Sequence, residues 1–122
     1  MEKKLPARSE VKEELTWRLE DIYPDRAGFE GDMEKAASLA AEFAGREGCA
    51  AKSAKELLAS FDLYEEIALL EDRFTEYAMM KQDQDTGDSQ SQADFKKAEA
   101  LYIGIAWLRL RRWLRFLIPR LE

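Results

Sequence analysis

Apolar residues in this chain recur three and four positions apart over long stretches and do not alternate with period two over enough residues to suggest a strand, which leaves helices as the building material. From Phe29, the series Met33, Ala36, Ala37, Leu39, Ala40 and Phe43 keeps helical spacing until Gly45 closes it. Asp25 precedes this run and is suited to accept the unpaired N–H groups of a first helical turn. Gly45–Lys52 forms a connector, after which Ser53 and Glu56 make an S-x-x-E capping signature. The spacing predicts a short helix over Ala54–Ser60, then a longer one opening at Phe61 or Asp62 and carrying Leu63, Ile67, Leu70, Phe74, Tyr77, Ala78 and Met80 to about Gln84. Asp85–Thr86–Gly87–Asp88 breaks that helix. Asp88 or Ser89 opens a last helix expected to end near Pro119. Together these segments predict an all-α fold, an antiparallel helical bundle with short loops.

The amino-terminal residues follow a different pattern. Residues 1–15 mix charges with one proline and show little periodicity, so an extended arm is expected. Trp17, Leu19, Ile22 and Tyr23 then cluster ahead of Pro24, which is excluded from a helix interior. Thr16–Pro24 is expected to pin the arm to the bundle. The expected division is therefore 1–24 for arm and docking segment and 25–122 for the helical bundle. At 122 residues the chain suffices for one hydrophobic core.

Charge and residue usage exclude several function classes. The net charge of −6 argues against general nucleic-acid binding, which needs a basic face. No uncharged run approaches the roughly 20 residues needed to cross a bilayer. The opening Met-Glu-Lys-Lys-Leu-Pro lacks the apolar stretch of a secretory leader. A single cysteine, Cys49, has no internal disulfide partner, and a reducing cytoplasmic setting is expected. Histidine is absent altogether, so a zinc site of imidazoles and thiolates has no donors, and Cys49 has no base to generate its thiolate. Carboxylates do cluster: Glu65, Glu66, Asp72 and Glu76 along one helix, and Asp83, Asp85 and Asp88 around the loop. Such oxygen ligands suit calcium or magnesium. The D-Q-D-T-G-D run nevertheless lacks the twelve-residue calcium-loop pattern, so a solvated acidic turn is the expectation. Met79–Met80 is expected to fill core space. No catalytic, metal-binding or cofactor-binding residue is assigned.

Two stretches carry a family likeness: LPARSEVKEELTWRLEDIYP, Leu5–Pro24, and EYAMMKQDQDTGDSQSQADFKKAEALY, Glu76–Tyr102. Across roughly residues 5 to 103 the chain resembles the amino-terminal helical domain of the oligoendopeptidase F family, relatives of thimet oligopeptidase. The resemblance implies a peptidase whose zinc ion is held by an H-E-x-x-H helix several hundred residues further on. It also implies that the amino-terminal domain helps wall a deep peptide channel and donates no metal ligand. With the sequence reaching Glu122 before any such helix, the expectation is a non-catalytic scaffold domain, zinc belonging to the full-length family.

The likeness fades in the last helix. Residues 1–100 hold 14 Lys and Arg against 24 Asp and Glu, whereas residues 101–122 hold five arginines against Glu122. At 100° per residue, Phe95, Ala98, Leu101, Ile105 and Leu108 make one side, expected to face the core. Ile103, Trp107, Leu110, Leu114 and Leu117 make a second stripe, flanked by Trp113 and Ile118, with Arg111, Arg112 and Arg115 largely outside it. Three readings follow: Trp107 or Trp113 packs against Trp17, Ile22 and Tyr23; two copies of the chain cover each other; or the helix binds a protein partner, whether by nature or by redesign. Trp107, Leu110, Trp113, Leu114, Leu117, Arg111 and Arg115 are the candidate interface, since Trp and Arg dominate binding hot spots. Resting on a membrane is the least expected use, because acidic residues dominate the remaining surface.

Overall fold

The structure, a computed structural model, describes residues 4–117, with side chains through Arg111. Three helices dominate it: α1, Arg26–Gly45; α2, Ala54–Gln84; and α3, Ser89–Leu117. No strand occurs among the described residues. Cross-helix pairs establish the topology. Arg46–Glu56, Lys35–Glu66 and Asp32–Arg73 run in opposite order on α1 and α2, so these helices are antiparallel. Arg26 meets Asp94, which sets the start of α3 beside the start of α1. The result is an up-down-up bundle in which each helix contacts the other two. The expected all-α bundle is thus observed.

Local chemistry sets the boundaries. Asp25 has extended backbone, and its Oδ1 accepts from the Gly28 N–H at 2.8 Å. Between α1 and α2, Gly48 takes φ +74°, a left-handed conformation in which a side chain is strained. Ser53 Oγ accepts from the Glu56 N–H at 3.2 Å, giving the first half of the capping box. The second half is absent, because the Glu56 carboxylate accepts instead from Arg46 Nη2 at 2.8 Å and ties the connector down. At the next turn, Asp85 Oδ1 accepts from the Gly87 N–H, and Asp88 accepts from the Gln90 and Ser91 N–H groups to open α3. The hydrogen bonds from Ser91 hold the Asp88 carboxyl below its ordinary range.

One expectation is corrected here. Ala54–Ser60 is not a separate helix, since α2 runs unbroken for 31 residues, about 46 Å. No Gly or Pro interrupts it, and the Ser60 hydroxyl donates to the Glu56 carbonyl at 2.9 Å, satisfying itself inside the helix.

The core is unequally supplied. α1 contributes Phe29, Met33, Ala36, Ala40 and Phe43, and α2 contributes Leu63, Ile67, Phe74, Tyr77 and Ala78. The inner side of α3 is thinner: Ser91, Asp94, Ala98 and Ile105 are buried, with Phe95 and Leu101 packed half-buried beside them. Leu108, expected on this side, is 37% exposed. Met80 packs partly buried against the core, while Met79 is exposed. The expected end of α3 near Pro119 lies outside the described residues.

The amino-terminal segment runs through three short 3-10 turns, Arg8–Glu10, Glu13–Leu15 and Leu19–Asp21. Leu19 and Tyr23 are buried and Ile22 packs half-buried against the core. Arg73 Nη2 donates to the Ile22 carbonyl at 2.7 Å and its guanidinium lies 4.6 Å from the centre of the Tyr23 ring. The Tyr23 hydroxyl donates to Asp32 at 2.7 Å, and its ring meets Tyr77 edge to face at 5.0 Å. Trp17 does not join this cluster. It is 76% exposed, and its carbonyl accepts from Gln84.

Replacing Phe74, fully buried at the centre of the core, should separate core from surface on α2. Phe74→Ala should cost about 3–5 kcal/mol in denaturant titration. Leu69→Ala, at a position 64% exposed on the opposite face, should stay within about 0.5 kcal/mol of the parent.

Candidate functional site

The carboxylates singled out for catalysis or metal binding are dispersed or already engaged. Glu66 pairs with Lys35 at 2.7 Å, and Glu65 is exposed. Asp85 and Asp88 spend their oxygens on backbone N–H groups of the turn. Gln92 closes the same turn by donating to the Thr86 carbonyl. Among the described residues no three of His, Cys, Asp or Glu are grouped so as to hold a metal ion. Cys49 is a free thiol, half-buried in the α1–α2 connection. A surface groove of about 340 Å³ lies between arm and α2, lined by residues that include Trp17, Met80 and Asp83.

A different polar group stands out. Glu71 sits in the inner row of α2, between Ile67 and Phe74, and has no accessible surface. Arg109 of α3 brings Nη2 to 2.6 Å from Glu71 Oε2 and lies 4.9 Å from the centre of the Tyr64 ring. The contact is an ion pair off the hydrogen-bonding axis, since neither Glu71 oxygen has an aligned donor. Burial pushes the Glu71 carboxyl up to about 7, against the pull of Arg109 and with a further push from Asp72. Sequence analysis placed Arg109 with the basic tail, whereas it points inward and is spent on Glu71. The signal was present: an acidic residue at the i+4 position after Ile67 interrupts an otherwise apolar row, and such a residue needs a cation. A second pair, Arg26 with Asp94, is bidentate at 2.5 and 2.8 Å and secures the other end of α3.

Opposite this inner side lies the stripe. Ile103 is 50% exposed, Trp107 61% and Leu110 51%, with Arg111 exposed beside them. Neither the arm nor α2 covers them. With Trp17 and Trp107 both exposed, their packing against one another is not the arrangement adopted. Trp113, Leu114, Arg115 and Leu117 belong to α3 by backbone, and their side chains lie outside the described residues, as do Arg112 and Ile118. Among the described residues no helix is long and apolar enough to cross a membrane.

Fold and polar groups together define a three-helix bundle whose charged residues serve caps and inter-helix ties. The chain is 38% identical over 98 residues to oligopeptidase PepF of Bacillus subtilis (strain 168). That similarity takes in 80% of this chain and 15% of the relative, a match of amino-terminal-fragment type. The chain is thus similar to a region of this oligopeptidase and spans only 15% of its length, which supports a peptidase-family origin. No family model matches the sequence. No solved structure matches it either.

The Glu71–Arg109 pair generates two predictions. Because the folded-state value lies above the ordinary 4.5, the native state binds the extra proton between pH 4.5 and 7. The contribution of Glu71 is full below pH 4.5 and is lost as pH rises through 7. Relative to Glu71→Gln, the parent should therefore lose stability across that window in denaturant titrations at successive pH values. Arg109→Met should destabilise by about 3–5 kcal/mol well above pH 7, because it removes the cation that holds the Glu71 value down and leaves the buried group either to take up a proton or to stand ionised and unpaired. The loss should shrink at pH 4.5.

Proposed function

We propose that this chain is a non-catalytic helical scaffold domain of the oligoendopeptidase type, acting by shape and contact. The observation that carries the proposal is the complete absence of histidine from a sequence 38% identical to an oligopeptidase. A zinc peptidase of the H-E-x-x-H kind takes two metal ligands from imidazoles, and these 122 residues supply none. The use of Asp25, Ser53 and Asp88 as caps, and of Asp94 and Glu71 as inter-helix ties, supports the same reading. On this proposal the chain needs no cofactor, takes its place in the cytoplasm, and contributes a wall to a peptide-admitting enzyme. Nucleic acid and membrane are not partners.

A second reading is favoured by one specific observation, the exposure of Ile103, Trp107 and Leu110 in a continuous stripe. Soluble monomers seldom expose contiguous apolar patches of large area. In this reading α3 is a binding surface for another protein or another copy.

Purified protein incubated with a fluorogenic oligopeptide and added zinc is expected to show no hydrolysis. Metal-dependent turnover that co-purifies with the protein and is abolished by a chelator would refute the scaffold proposal.

A further inference from the structure

The outer stripe of α3 is apolar although it faces away from the core that Phe95, Ala98, Leu101 and Ile105 of the same helix join. Inward, α3 offers Ser91, Asp94, Phe95, Ala98, Leu101 and Ile105; outward, it offers Ala100, Ile103, Trp107 and Leu110 at spacings of three, four and three. That spacing is the seam of paired helices rather than scattered surface residues. Lys97 and Arg111, both exposed, flank one side of the seam, exposed Lys96 continues its line, and a single acidic residue, Glu99, flanks the other side. Stripe-on-stripe antiparallel pairing of two copies would align these basic flanks with each other, which costs energy. The seam therefore calls for a partner helix with acidic flanks.

The same molecule carries such a helix face. On the outward side of α2, Leu58 and Leu69 are 60% and 64% exposed. Asp62, Glu65 and Asp72 are exposed in the same row, Leu58, Asp62, Glu65, Leu69 and Asp72 following at spacings of four, three, four and three, with one basic residue, exposed Lys55, at its start. Both faces point away from the bundle and neither is covered within one copy. They differ in charge sign, and each has large aliphatic or aromatic side chains between its charges.

We infer that the basic, Trp-bearing outer stripe of α3 in one copy docks on the acidic outer face of α2 in a second copy. This deepens the binding-surface reading and rests on it. The contact is heterologous: each copy offers one donor stripe and one acceptor face, so association continues past the dimer unless the rotation closes a ring. Opposite charges flank the apolar contact, and salt weakens it, because the screening length falls from about 10 Å at 0.1 M to about 3 Å at 1 M.

Complementary variants of the full chain provide the test by sedimentation equilibrium. The parent should associate as concentration rises, less strongly at high salt. Trp107→Asp disables the stripe and Leu69→Asp disables the acceptor face; each alone should weaken association by at least about 30-fold, as loss of a hot-spot anchor does. Mixed together, the two variants should form a one-to-one pair that grows no further, because each retains the half the other lacks. Unchanged melting temperatures would show that both variants are folded, as expected at exposed positions. A parent that stays monomeric at every concentration overturns both the inference and the reading beneath it. Association that survives Leu69→Asp but not Trp107→Asp, with no rescue on mixing, overturns the α2 docking alone and leaves stripe-on-stripe pairing.

Discussion

Glu71 has no accessible surface, and a carboxylate there is tolerable only with a cation beside it, so Arg109 must reach it across the α2–α3 interface. That demand organises the third helix. The inner row of α3 has Ala98 at its centre, polar Ser91 and Asp94 near its start, and Phe95, Leu101 and Ile105 packed on the core between and beyond them. Charged ties add to this contact: Arg26 to Asp94 near the start of α3, and Arg109 to Glu71 towards its other end. Helices α1 and α2, by contrast, meet through rows of phenylalanine, isoleucine and methionine. The bundle thus packs α3 on both other helices through Phe95, Ala98, Leu101 and Ile105, with a charged tie near each end of that contact.

The clamp also decides which way α3 faces. Once Arg109 points inward, positions 103, 107 and 110 are turned outward, because at 100° per residue they lie far from position 109. The exposed stripe is consequently a geometric result of satisfying Glu71. An account of the protein as a scaffold and an account of it as a binding surface share this origin.

Much of the bundle was legible in the residues. Asp25, Ser53 and Asp88 announced three helix starts, because caps act through bonds only three residues long. Gly45 and the Asp85–Asp88 turn announced the stops for the same local reason. The break expected near Ser60 was an error of period: a weak apolar stretch looked like a boundary, yet nothing there prevents propagation of the helix. Trp17 was expected to join the apolar cluster of Leu19, Ile22 and Tyr23 ahead of Pro24. Its neighbours Leu19 and Tyr23 filled the available space, and Trp17 stayed outside.

Relatedness to PepF, the absence of imidazole and the helical class are properties of the sequence alone, because they depend on residue identity and on contacts within a few positions. Which arginine is consumed in the interior, and which apolar side of α3 is left outside, were settled only by the tertiary structure. Arg109 and Arg111 are two residues apart and chemically identical, and no local rule distinguishes them. The difference arises because Glu71, 38 positions earlier in the chain, is packed where only one of them can reach.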